Sequence, residues 1–179
     1  MFTQTKTLPK VLTFSEVKYY IFSITFVGLA VFVPWALHQF PLAGPKFLPM
    51  HFFVIIAGLL FGWRTGLMVG FLSPLMSYSI THMPPMAILS ETTLELAIYG
   101  LAIGLLREKN LNIWVALFGA MILGRLARLL FVLGLGLQTN PLNYFQISWP
   151  GILLQIALVP LIIYLLQKFL LKKENEKTI

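Results

Sequence analysis

Four ionisable residues, Glu91, Glu95, Arg125 and Arg128, stand inside long apolar stretches of the chain. Glu91 and Glu95 are i,i+4 and so share one helix face, while Arg125 and Arg128 are i,i+3 and share another. A charge at the middle of a membrane helix costs about 2.5–3.5 kcal/mol on insertion scales. Such residues must pair with one another or line a polar cavity. An arginine suits either role, because its fork holds a carboxylate through two parallel hydrogen bonds. Two neighbouring arginines repel, which favours a carboxylate between them, from the protein or from a substrate. Two readings stay open: salt bridges that stitch two helices, or a pocket in which an arginine binds an anionic or amide-bearing solute.

Depth brings the four together. The stretch at about 87–106 begins near Ala87, so Glu95 lies about eight residues, or ~12 Å, from that end. The stretch at about 112–137 finishes near Leu137 on the same side, and Arg128 lies about nine residues, or ~14 Å, from it. This predicts a Glu95–Arg128 pair, with Arg125 deeper and Glu91 nearer the surface. His38, His51 and His82 fall at the same end of three different apolar segments. They can converge on a substrate or a metal, or be interfacial side chains with no ligand. Trp35, Tyr144 and Trp149 lie near the same boundary, where aromatic belts form and where a ring can also close over a ligand.

The elements that position these residues are membrane helices. The chain is 58% hydrophobic and 11% charged, against roughly 25% charged in a soluble domain. The apolar residues come in blocks, which predicts an all-α membrane protein of six transmembrane helices. The spans are about 17–37, 50–62, 65–81, 87–106, 112–137 and 148–171. The second has thirteen residues and rises only about 20 Å, less than the ~30 Å hydrocarbon core, so neighbours must shield it. Ser73-Pro74 predicts a kink in the third. Segments 38–49, 82–86 and 138–147, rich in proline or polar residues, read as loops. The domain reading is a segment at 1–16, a membrane domain at 17–171 and a charged tail at 172–179. The first apolar block, about 19 residues from Tyr19, is too long for a signal-peptide core and reads as a retained helix.

Charge sets the orientation. Ten of the thirteen basic residues, including Lys6, Lys10, Arg64, Arg107, Lys109 and Lys173, fall on the side that carries both termini. Lys46 is the one on the other side, and Arg125 and Arg128 lie within a span. The positive-inside rule then puts the N- and C-termini in the cytoplasm and the three loops outside. The net charge of +7 is thus topological and forms no nucleic-acid groove. The chain has no cysteine, which excludes disulfides and thiol chemistry. Metalloprotease, hydrolase, P-loop and dinucleotide motifs are absent. The sequence therefore offers no catalytic residue, no cofactor and no ATPase activity of its own.

Small residues recur four apart at Gly62, Gly66 and Gly70, at Gly100 and Gly104, and at Ala116, Ala120 and Gly124. Such stripes let helix backbones approach, within the bundle or against another membrane protein.

These features resemble a known family. The run PWALHQFPLAGPKFLPM at 34–50, its continuation through the next two spans, TLELAIYGL at 93–101 and MILGR at 121–125 are similar to the substrate-binding S components of energy-coupling-factor (ECF) vitamin transporters, in particular the pantothenate-type group. The resemblance implies a transport subunit of a bacterial plasma membrane that captures a vitamin near the outer face. It implies docking on a membrane T component driven by two cytoplasmic ATPases. Segments 38–49 and 82–86 would gate the pocket, and the expected substrate-binding residues are Arg125, Arg128, Glu95, Glu91, His82 and His51. Helix-borne Ala-x-x-x-Ala docking pairs of that family have no match among Ser23, Gly28, Ala30 and Ala36. Two rivals stand beside this reading: a metal-ion S component using His38, His51 and His82, and a ligand-free structural or assembly subunit.

Overall fold

The computed structural model describes residues 8, 11–37, 43–137 and 141–175, without the side chains of 43, 45, 141, 142 and 169–175. Among the described residues the chain is all helical. The elements are α1 (Val17–Leu37), α2 (Ala43–Phe47), α3 (Pro49–Phe61), α4 (Trp63–Thr81), α5 (Met86–Glu108), α6 (Ile113–Gly134) and α7 (Pro141–Asn175). By length and composition, α1, α5, α6 and the Asn143–Lys168 stretch of α7 are apolar enough to cross a membrane. Their outward faces carry exposed Ile24, Phe32, Ile122, Leu130 and Leu153. In water such faces would be a liability, whereas lipid tails accept them.

The thirteen-residue α3 answers the question its length raised. Every residue from Val54 to Phe61 is buried, as expected of a helix that is apolar all round. It packs against α1, α4 and α5, so protein and not lipid covers it.

The small-residue stripes are spent inside the bundle. Gly66 of α4 and Gly100 of α5 meet backbone to backbone, and a Cβ on either would collide with the other's carbonyl. Gly70 meets the Leu96 carbonyl and Gly104 meets the Trp63 backbone in the same way. Glycine is required here because no side chain fits between the two backbones. Gly62 joins α3 to α4 at φ 92°, a conformation open to glycine. The carboxylate of Glu108 accepts the Trp63 N–H at 3.2 Å, which satisfies one of the orphan donors at the start of α4. Asn112 caps α6, its side-chain oxygen accepting the Trp114 N–H at 2.9 Å.

Two loop assignments need correction. Within 38–49, residues Ala43–Phe47 form the short helix α2. The last helix begins at Pro141 and not at 148. Proline at the first helical position has no N–H to lose, so it starts a helix well. The two corrected elements touch: a Cβ on Gly151 of α7 would stand 2.7 Å from the Phe47 backbone carbon. Pro74 sits within a continuous α4, and the neighbouring Ser73 hydroxyl donates to the Val69 carbonyl at 2.6 Å. His38, Lys6, Lys10 and Lys177 lie outside the described residues.

Candidate functional site

Helices α5 and α6 pack along one another, and their buried charges meet between them. Arg128 donates from Nη1 to Glu95 Oε2 at 2.9 Å and from Nη2 to Glu91 Oε1 at 2.6 Å. One guanidinium thus spans two carboxylates one helical turn apart, and both glutamate side chains are fully buried. Arg125 brings its Nε to 3.2 Å from Glu95 Oε1. From α3, His51 brings Nε2 to 3.5 Å from the same oxygen. Two glutamates and two arginines balance, so the cluster can lie in an apolar surround without net charge.

Aromatic rings close the cluster on two sides. Tyr99, one turn beyond Glu95 on α5, meets the His51 ring edge-on at 5.2 Å between centroids. Gly124 makes room for it, since a Cβ there would strike the Tyr99 ring. Tyr144, in the first turn of α7, covers the arginines. Its ring centroid is 3.6 Å from the Arg128 guanidinium carbon and 5.1 Å from that of Arg125. Both distances fall within cation–π range.

A cavity of about 340 Å³ lies against this cluster. Its walls are mostly apolar, among them Pro34, Leu48, Met50, Ile88 and Leu96, with polar atoms from His51, Ser77, Thr92 and Tyr144. Small-molecule sites share this character: about 300–1,000 Å³, apolar, with a few placed polar groups. His51 and Tyr144 belong to both the cavity wall and the cluster, and so they are the boundary between the two.

The structure therefore gathers Glu91, Glu95, Arg125, Arg128 and His51 in one place. The expected Glu95–Arg128 pair is present, and Arg128 also takes Glu91. His82 stands apart. It ends α4 in a left-handed conformation, exposed, with its ring 5.9 Å from that of Tyr78, one residue before Met83 of the cavity wall. Among the described residues no three His, Asp or Glu side chains gather as a metal set. Tyr99 and Thr92 are additions to the site. Tyr99 was findable, since it continues the i,i+4 series from Glu91 and Glu95; nothing in the spacing marks Thr92.

The fold and its buried site define a multi-pass helical membrane protein with an apolar cavity beside a closed charge cluster. The model of the ECF transporter substrate-specific component family matches residues 18–171. The chain belongs to that family. It is a substrate-specific transport subunit, not a catalytic one, and the family implies a small-molecule substrate, a membrane T component and ATPase subunits. No curated protein and no solved structure matches the chain.

Proposed function

We propose that the protein captures a vitamin or related small molecule in the 340 Å³ cavity and delivers it by docking on an ATPase-driven T component. The observation that carries this reading is the shared boundary: His51 and Tyr144 line the cavity and also touch the Glu91–Glu95–Arg125–Arg128 cluster. Apolar walls would hold the body of the ligand, and the cluster behind them would fix a polar head. His82 would stand at the rim. Pantothenate is the first candidate, on the resemblance of 34–106 and of MILGR to the pantothenate-type group and on the match of a carboxylate to an arginine.

The same reading has six crossings in a bacterial plasma membrane with both termini in the cytoplasm. The one-sided lysines and arginines support it, and α2 and the 82–86 turn then face outside with the cavity between them.

The test is the small molecule that co-purifies with the protein. Mass spectrometry of the heat-released fraction should find one dominant vitamin-sized compound, and calorimetry with that compound should show saturable binding. A clean preparation with no released compound, and no heat with pantothenate or any other vitamin, would remove the reading.

A further inference from the structure

The two arginines do different work. Arg128 has both Nη atoms committed to glutamates. Arg125 is tied only through Nε, 3.2 Å from Glu95 Oε1; Nη1 and Nη2 are buried with no acceptor in hydrogen-bond geometry among the described residues. An uncommitted buried guanidinium is costly unless something accepts from it. Glu95 Oε1 already faces Arg125 Nε and His51 Nε2, and the Tyr99 hydroxyl is the neutral acceptor beside the guanidinium, so N–H donors stand in excess around it. What completes the set is an acceptor-rich group of one to two oxygens.

The way in passes Tyr144. Its ring lies on the cavity wall, 3.6 Å from the Arg128 guanidinium carbon and 5.1 Å from that of Arg125. It sits on the first turn of α7, beside α2, at the edge of the bundle and not in its glycine-packed centre. We infer that Arg125 is the subsite for the carboxylate or carbonyl head of the ligand, and that Tyr144 is the removable cover and specificity residue in front of it. The ligand's oxygens replace the ring as the group facing Arg125, two charge-assisted N–H···O bonds replacing the ring's two cation–π contacts. Arg128 stays locked to Glu91 and Glu95 throughout and holds the site's shape. This inference rests on the ligand-binding reading above and divides its arginines.

Two measurements test it, one without any ligand. Methylglyoxal adducts on the arginines are mapped by mass spectrometry in the folded, detergent-solubilised protein. In Tyr144→Ala, Arg125 should react at least ten-fold faster than in the wild type, and Arg128, which loses the same ring but keeps both Nη atoms on Glu91 and Glu95, should gain far less. Equal acceleration of both arginines, or no acceleration at Arg125, overturns the cover. The second measurement compares pantothenate with pantothenyl alcohol, the same molecule with its carboxylate reduced. Wild type should prefer pantothenate at least thirty-fold, and Arg125→Gln should lose that preference. Arg125→Lys, which keeps the charge but not the fork, should retain part of it and serves if the glutamine variant fails to fold. An undiminished preference in folded Arg125→Gln, or in folded Arg125→Lys, overturns the subsite while leaving the transport reading intact. Binding of neither compound by wild type removes pantothenate, and the adduct map still decides the roles of Arg125 and Tyr144.

Discussion

Arg128 and Glu95 are thirty-three residues apart in the chain and 2.9 Å apart in space, both buried. The same guanidinium reaches Glu91. Removing one partner of such a set leaves uncompensated charge in a low-dielectric interior, which costs about 3–5 kcal/mol. Arg128→Met should therefore lower thermal stability in detergent sharply. Adding Glu91→Gln to it should restore much of the loss, because Glu95 then stays paired with Arg125 and the buried charges balance again. A single Arg128→Met that melts with the wild type would show that the ion pairs carry no structural weight.

How far this site could be read from sequence depends on what fixes each side chain. Helical periodicity and depth were enough for Glu95 and Arg128, because both follow from the register of two long helices. The histidines were a different case. A position at a helix end says nothing about direction, and His51 turns inward to Glu95 while His82 stays on the surface. Tyr144 read as a belt residue because the segment before 148 is polar enough to look like a loop. The helix in fact starts at Pro141, and it is this extra length that carries the ring onto Arg125 and Arg128. The glycine stripes showed that backbones approach, but which helix each one meets is a tertiary fact.

The contact between Gly66 and Gly100 gives a second prediction. A methyl group at either position meets the opposing backbone, which cannot move aside as a side chain would. Gly66→Ala and Gly100→Ala should each cost about 1–3 kcal/mol, the usual range for overpacking. Gly28 is the control, since nothing lies within 4 Å of a Cβ built there. Gly28→Ala should be neutral or gain up to about 1 kcal/mol from helix propensity. Melting temperatures of the three variants, measured together, decide whether the stripe holds α4 to α5.

Ile88 offers a way to separate the cavity from the fold. It lines the cavity and is half-buried on the first turn of α5. Ile88→Trp should fill the space with little strain on the core. The expected outcome is a ligand-free melting temperature within a few degrees of wild type and loss of the ligand-induced rise that linkage demands. A variant that still shows the full rise would place the ligand elsewhere.

The start of α6 depends on a single side chain. Asn112 accepts the Trp114 N–H at 2.9 Å, and N-cap loss costs about 0.5–2 kcal/mol. Asn112→Ala should fall in that range, and Asn112→Asp should hold or exceed wild-type stability, since a negative charge suits a helix N-terminus. Thermal unfolding of both variants tests it, and equal stability of the alanine and aspartate forms would count against the cap.

Orientation can be tested without removing a single native residue beforehand, because the chain contains no cysteine. Lys46 in α2 and Lys109 after α5 are both exposed, and they bracket the proposed topology. In intact cells a membrane-impermeant maleimide should label Lys46→Cys and spare Lys109→Cys until the membrane is opened. The physical reason is the cost of translocating positive charge, which leaves the lysine- and arginine-rich ends inside. It also bears on the site: the cavity is walled by Leu48 and Pro85, residues next to the segments that should face outside. Labelling of Lys109→Cys from outside would invert the protein and turn the cavity toward the cytoplasm, which an importer's capture site cannot do before docking.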